Sequence, residues 1–592
     1  MDMTEMDTLS SQNPIRRINR RIAVSWLLYA LAVIIHIPVS IYPHLFDKNI
    51  APQFISIILI SVIYSIYILR RLNNFLLHKY VFLISLYLIV SSIISAFLSG
   101  SVISSLTGDT GRYAGVTSLI CLLLVAYYHS NFTKVDFKLL LRLYLILPVL
   151  QSCLGIFQHY ELVEFPGAQG FSATLGNEDF FAAYIGVSAP LFIFAAYRAT
   201  KILKYSFITG YLICIYALYE AGPLQAYVDL AITLIGIIFF KFRKYLPKFD
   251  FSLNIRNAIG TLLIIIWAQI IFLTPFLGHW IPTLGDDIQV KIRANFWLAG
   301  TKQFFDHPFF GVGPDQYGNY YEQYRTLTDA QNYTSILSND AHSASVQTLA
   351  TLGIFGMIAF LTATSLLIRS ILILWDNQKI PRAETFLISL FFFVYLTNSF
   401  VSPLTLPTKV LFWAIAGWVI GNVYGQDMSR WRIEVRNILL IIIIFLTFVG
   451  SNFSFAQIKY SNAYETYAKN PNGKVDYKFN SYIPCFMYFD GQFNMVKNLG
   501  LPRLREIAIE QISINPRCVA AHLVLAQVAK AQGDLGLYRQ EIYNLVQIAP
   551  SRSQVINLGF EYANENKDYL LLNRLKQIVK ELNLIYVPGA LG

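Results

Sequence analysis

Long apolar runs separated by short basic clusters fill the chain from about residue 22 to residue 456, and amphipathic helical spacing replaces them near Arg503. A membrane-spanning helix needs roughly 20 mostly apolar residues. Thirteen stretches reach that length, centred near Ala32, Leu59, Leu88, Cys121, Leu147, Ser188, Ile213, Thr233, Ile265, Phe360, Phe392, Ala414 and Ile443. The pattern predicts an all-α fold, a polytopic transmembrane helical bundle followed by a helical-repeat domain. The first run follows the basic sequence RRINRR at Arg16 to Arg21 and has no small-residue cleavage site behind it. It reads as an anchor rather than a signal peptide. The predicted organisation is an N-terminal segment at 1–21, a transmembrane region at 22–456 with a long loop at 276–344, a connector at 457–502 and a helical domain at 503–592.

Composition agrees with a membrane class: 55% of the 592 residues are hydrophobic and 14% charged, against roughly 25% charged in soluble domains. The net charge of +11 does not point to nucleic acid, because the basic residues lie in clusters between apolar runs rather than along one face. Topology explains them. With the N-terminus cytoplasmic, the inside loops hold twenty-four lysines and arginines, whereas the short outside loops hold only Lys48, Arg112 and Lys409. That asymmetry is the positive-inside pattern, and one missed span in the middle would erase it. The odd number of spans then places both the 276–344 loop and the tail on the extracytoplasmic side. The five cysteines are too scattered for a disulfide framework or a metal site, and a Cys485 to Cys518 bridge stays open.

From Arg503 the tail carries a period of 34: Pro516 recurs as Pro550, and Gly533-Asp534 is echoed by Lys567-Asp568. This period, with a proline closing each helical pair, is that of tetratricopeptide repeats, although His522 and Ala526 occupy positions usually held by a large aromatic and a glycine. A helical-repeat domain of this kind offers a docking surface for a protein or glycan partner.

The loop before the tenth span contains the densest polar chemistry. Ile288, Ile292, Phe296 and Ala299 fall at helical spacing, predicting a helix along the membrane surface with Arg293 on its flank. HPFFGVG then breaks the helix with Pro308, Gly311 and Gly313. In SNDAHS, Asp340 or Asn339 is the expected N-cap of the tenth span, which puts His342 in its first turn. A helix N-terminus keeps an imidazole neutral and able to accept a proton, and its free amides attract phosphate. Arg112 and Arg325 are further cationic candidates on the same side.

The run from Arg293 through HPFFGVGPDQYGNYY to AHSASVQTLATLGIFG resembles the signature region of the O-antigen ligase and polymerase superfamily. The resemblance extends to GDTGRYAG (Gly108 to Gly115), SATLGNEDFFAAY (Ser172 to Tyr184) and TNSFVSPLTLPTKVLFWAIAGW (Thr397 to Trp418). It implies a multi-pass enzyme of a bacterial inner membrane that transfers a glycan from an undecaprenyl diphosphate carrier to a lipid, glycan or protein hydroxyl. By the same resemblance His342 is the base candidate and Arg293 the diphosphate ligand. Where many members show Ser-Arg-Gly at the start of the eighth span, this chain has AGPLQAYV, with Gln225 in place of the arginine. Glutamine can hydrogen-bond a phosphate but cannot neutralise it.

Asn177 and Asp179, opening the sixth span, and Tyr320 and Tyr321, in the long loop, are candidate sugar contacts; capping and an interfacial aromatic belt are their structural alternatives. No Asp-x-Asp motif lies in an outside loop, so the expected mechanism uses no metal and no cofactor. The acceptor leaves a protein O-oligosaccharyltransferase open beside a ligase or polymerase. From other classes, a lipid-linked glycan transporter would bury ionisable residues mid-span, and a membrane-anchored scaffold would leave the elaborate loop without a role.

Overall fold

The computed structural model describes residues 22, 25–27, 47, 50–70, 72, 79–109, 111–165, 170–197, 199–245, 251–279, 287–325, 330, 337–424, 432–473, 475 and 500–581. Every long element among them is an α-helix. In chain order these are α1 (Ile50–Arg70), α2 (Lys79–Leu98), α3 (Val102–Thr107), α4 (Val116–His129), α5 (Lys134–Tyr144), α6 (Ile146–His159), α7 (Glu178–Ala196), α8 (Lys201–Ala221), α9 (Leu224–Phe242) and α10 (Leu253–Leu273). They continue as α11 (Ile288–Asp306), α12 (Tyr317–Tyr324), α13 (Ala344–Asn377), α14 (Arg382–Ser399), α15 (Leu406–Tyr424) and α16 (Arg432–Lys469). The tail adds α17 (Leu501–Ile514), α18 (Val519–Ala531), α19 (Leu535–Ile548), α20 (Ser553–Glu565) and α21 (Tyr569–Glu581).

Among the described residues, 10 helical stretches are long and apolar enough to cross a bilayer. This is a multi-pass membrane protein. The run near Cys121 is only the 14-residue α4, and the one near Phe392 is the 18-residue α14; the centre of the first run, near Ala32, lies outside the described residues. Leu212, Leu234, Ile235, Leu262 and Leu263, on α8, α9 and α10, are exposed. Apolar surface on that scale needs lipid rather than water around it. Inside, helices approach closely where small residues recur: a Cβ on Gly417 or Gly421 of α15 would come within 2.1 Å of a backbone oxygen of Ala126 or Ser130 beside α4. The four-residue spacing puts both glycines on one face, as in helix pairs that associate without a hydrophobic driving force.

α13 is not the uniform span that its apolar run suggests. Gly353 has φ 63° and ψ −158°, which breaks the helix into two pieces. The HPFFGVG turn docks into the break. Val312 N donates to Ala350 O at 2.9 Å, Gly313 N to Thr351 O at 3.0 Å and Ile354 N to Pro308 O at 2.8 Å. Ser95 Oγ of α2 lies 2.6 Å from Phe310 O and 3.0 Å from Thr351 O, capping the junction from the other side. Irregular backbone at membrane depth is tolerated only where protein supplies the missing partners. Here the turn does so.

α16 has 38 residues, about 57 Å at 1.5 Å per residue, long enough to clear a hydrocarbon core of roughly 30 Å and carry the tail beyond it. In the tail, Asp534 N donates to Ala529 O at 2.9 Å and Asp568 N to Ala563 O at 2.9 Å. Asp534 and Asp568 each accept, through Oδ1, from the backbone three residues on, at 3.1 Å. One turn geometry thus recurs after 34 residues, with Gly533 and Lys567 both at positive φ. His522 Nδ1 meets Glu541 Oε2 at 2.5 Å between α18 and α19, both side chains buried. Cys518 is disulfide-bonded, and Cys485 lies outside the described residues; Cys121, Cys153 and Cys214 are free. The tail rests on α12: Arg517 stacks its guanidinium 3.8 Å from the Tyr320 ring centroid and donates through Nε to Asn319 O at 3.1 Å. Ser551 Oγ donates to Glu322 O at 2.8 Å.

A Cβ at position 353 would meet the Phe309 carbonyl at 2.4 Å in a backbone conformation that L-residues rarely adopt. Gly353→Ala should therefore destabilise the protein by about 1–3 kcal/mol or more, seen as a lower Tm in detergent. An unchanged Tm would mean that the break does not hold the turn.

Candidate functional site

His342 does not enter the tenth span. α13 begins at Ala344 with Ser343 as its N-cap, so neither Asp340 nor Asn339 caps the helix and the histidine precedes it. The reason is local: Asp340 turns its carboxylate onto the backbone, accepting from His342 N at 2.7 Å, and this holds His342 at φ 53°, a left-handed conformation uncommon for a residue with a side chain. Trp297 Nε1 donates to His342 O at 3.4 Å, and the Phe296 ring lies 5.1 Å from the imidazole. Nδ1 donates to Asp340 O at 3.1 Å. Nε2, which meets no hydrogen-bond partner among the described residues, then carries the lone pair.

Two arginines flank this ring electrostatically. Burial is the largest influence, and with the positive charges of Arg112 and Arg293 it lowers the His342 pKa to about 4, against the opposing pull of Asp340. Arg293 stands on α11, as its helical spacing predicts. It donates through Nε to Val401 O at 3.0 Å and pairs with Asp179 at 3.5 Å. Arg112, in the turn before α4, donates to Asn339 Oδ1 at 3.2 Å and stacks 5.1 Å above the Phe180 ring. Asn177 caps α7 by accepting from Asp179 N at 2.8 Å. The first turn of α7 thereby holds both arginines, one by charge and one by its aromatic face. Segments far apart in sequence converge on His342: the turn at 108–115, the entry to α7, α11 and the run 338–343.

Residues 182–361 match the family model described as O-antigen ligase. The chain carries an O-antigen ligase domain. The matched stretch includes Gln225, Arg293 and His342, while Arg112, Asn177, Asp179 and Lys409 lie beyond its ends. No curated protein matches the chain.

The other candidates of the O-antigen ligase domain are engaged differently. Gln225, at the start of α9, hydrogen-bonds Asn398 through Nε2, and its buried Oε1 meets no hydrogen-bond partner among the described residues. Asn398 in turn donates to Asp229 Oδ1 at 2.6 Å, one turn further down α9. Backbone amides of Val401 and Ser402 close onto Asn398 O at 3.1 and 3.0 Å. Gln225 therefore braces the same turn whose Val401 carbonyl holds Arg293. Arg325 is buried beside Tyr321, and its charge acts on Glu322, the partner of Arg552 in the tail. Tyr321 is fully buried against Phe296, and Tyr320 lies under Arg517. These ring faces are covered by protein.

A cavity of about 370 Å³ opens beside Asp340, between α2, α4, α13, α14 and α15. Asp315, Asp340 and Lys409 line one end, and Ala359, Leu367 and Ile420 lie along the apolar remainder. Asp315 and Lys409 escape motif reading. An ionisable group in the first turn of an apolar span was the available signal for Lys409; Asp315, inside GPDQYG, offered none. Asp315 Oδ2 accepts from Asp109 N at 2.7 Å and Ala114 N at 2.9 Å, clamping the turn that carries Arg112.

Burial raises the Asp315 pKa to about 6, despite those two amide donors. A carboxyl that ionises less readily folded than unfolded favours the folded state when protonated. Its contribution is thus lost as pH rises from about 4 to 6. Asp315→Asn keeps an acceptor for both amides and removes the buried charge, so its Tm should fall less than that of wild type over this pH window. An equal fall in both would assign the titration elsewhere.

Proposed function

We propose that this protein transfers a glycan from an undecaprenyl diphosphate-linked donor to an acceptor hydroxyl on the extracytoplasmic face of a bacterial inner membrane, as a ligase or polymerase. The observation that carries the reading is the open Nε2 of His342 set among the charges of Arg112 and Arg293, in a chain with an O-antigen ligase domain. The acceptor oxygen attacks the anomeric carbon, the bond from that carbon to the phosphate oxygen breaks, and diphosphate leaves. Nε2 takes the hydroxyl proton. Arg112 and Arg293 offset the charge that develops on the leaving diphosphate. Asp179 keeps Arg293 oriented, and Asn177 fixes the helix end on which Asp179 stands.

The electrostatics give this base a useful property. With no donor bound, burial and the two arginines make the imidazole a weak base. A diphosphate between them cancels their effect and raises its basicity when there is something to deprotonate. The disulfide at Cys518 supports an oxidising compartment for the tail, the side where such donors are consumed. The tail, docked on α12 beside the loop, is suited to engage the acceptor or a protein partner, and a protein acceptor is the alternative outcome.

His342→Ala should lower transfer by about 10²–10⁴-fold with unchanged Tm and membrane level, measured as glycan joined to acceptor in a host lacking its own transferase. Full transfer by this variant would sink the assignment. In wild type, the acidic limb of kcat/KM, which reports the free enzyme, should lie at lower pH than that of kcat, which reports the donor-bound state. Coincident limbs would show that the donor does not neutralise Arg112 and Arg293.

A further inference from the structure

A cavity of about 630 Å³ lies in the tail, between α18 and α20, a size within the roughly 300–1,000 Å³ of small-ligand clefts. On α20 the spacing of Gln554, Asn557, Leu558 and Glu561 puts them on one helical stripe, and Gln527, Lys530 and Ala531 form the matching stripe on α18. The lining holds one cation and one carboxylate, and they are paired: Lys530 Nζ lies 2.6 Å from Glu561 Oε1. Glu565, outside the lining, approaches the same ammonium at 3.3 Å.

What remains of the lining is neutral and polar. The carboxamides of Gln527, Gln554 and Asn557 have no hydrogen-bond partner among the described residues. The repeat does not call for two of them, because 34 residues earlier the positions of Gln554 and Asn557 hold Ala520 and Leu523. Each carboxamide presents donors and an acceptor on one planar group, which suits hydroxyls that both give and accept. An acidic ligand meets no free cation here, and a basic one finds the lining carboxylate already engaged. Ala531 and Leu558 are too small an apolar lining to seat the large side chains by which peptides are gripped. The ligand that fits is uncharged and rich in hydroxyls.

The groove begins where the tail grips the membrane domain. Ser551 and Arg552, which hold Glu322 of α12, immediately precede Ser553 and Gln554 on its lining. From Ser553 to Glu561, α20 carries the lining about 12 Å onward at 1.5 Å per residue. A ligand seated there lies next to the loop that bears α12 and Asp315.

We propose that the groove between α18 and α20 binds a neutral glycan, and that this glycan is the acceptor of the transfer reaction. Gln527, Gln554 and Asn557 hydrogen-bond its hydroxyls, and Leu558 and Ala531 pack against the C–H faces of its rings. Holding the chain beside α12 keeps its reacting end close to the loop and lowers the acceptor concentration needed for transfer. This rests on the transfer reading and chooses a glycan over a protein as the acceptor.

The experiment uses the full-length protein in nanodiscs. Its probe is a set of neutral oligosaccharides released by mild acid from the surface glycan of the source cell, with binding measured before any transfer. Gln554→Ala combined with Asn557→Leu, which gives α20 the residues that α18 carries, should weaken binding about tenfold. Gln527→Ala, at an exposed position on the opposite wall, should weaken it about threefold. Asn573→Ala, an exposed carboxamide on α21 outside the groove, should leave it unchanged. In transfer assays the groove variants should raise the acceptor KM by the same factors, with kcat and the donor KM as in wild type. Variants are compared at matched Tm; should the double variant fail to fold, Gln527→Ala decides.

No binding by wild type, wild-type affinity in the groove variants, or equal loss in Asn573→Ala would overturn the proposal. So would affinity that survives periodate oxidation of the probe, which destroys its vicinal hydroxyls. A raised KM for the donor alone would assign the groove to the donor's sugars, and displacement of the probe by a tryptic digest of envelope proteins would assign it to a polypeptide; either overturns it. Binding as expected with full transfer by His342→Ala would leave the groove standing and remove the reading of the base. Wild-type binding in the groove variants with transfer lost in His342→Ala would do the reverse.

Discussion

Backbone pairing between the 308–313 turn and the break at Gly353 is the constraint on which the site depends. A helix interrupted inside a bilayer exposes amides and carbonyls that lipid cannot satisfy. Here the interruption is filled by another part of the same chain, with Pro308, Val312 and Gly313 bonding directly across it. The arrangement requires glycine at 311, 313 and 353, where a Cβ would strike neighbouring atoms at 2.3–2.4 Å. Because α11 leads into the turn and the run 338–343 leads into α13, this junction fixes where Arg293 and His342 stand relative to each other.

Charge is organised around that junction by residues that do not themselves touch the imidazole. Asp315, immediately after the turn, clamps the Arg112 loop from below, while the first turn of α7 holds Arg112 through Phe180 and Arg293 through Asp179. Positive charges held close to a half-buried ring would repel each other without such partners. The carboxylates of Asp179, Asp315 and Asp340 offset them in place. The result is a local field that keeps His342 neutral. Gln225 and Asn398 extend the same bracing into the membrane through Asp229, so that the turn bearing Val401 is supported from inside the bundle.

The tail is joined to this machinery rather than suspended beyond it. α16 rises out of the membrane as one continuous helix, and Arg517, Ser551 and Arg552 grip α12 on the loop that also carries Asp315. Contacts of this kind are polar and modest in strength.

Much was legible in the sequence because a bilayer leaves few solutions. Apolar length selects helices, basic clusters predict their orientation, and the glycines and proline of HPFFGVG mark a turn whatever it packs against. The O-antigen ligase signature likewise placed Arg293 and His342 in one loop. What local pattern could not decide was everything that needs two distant segments at once. The docking of that turn into α13, the burial of Tyr321 against Phe296 and the recruitment of Lys409 and Asp315 to one cavity all depend on contacts between segments well separated in the chain. An apolar run specifies burial, but only tertiary packing specifies against what.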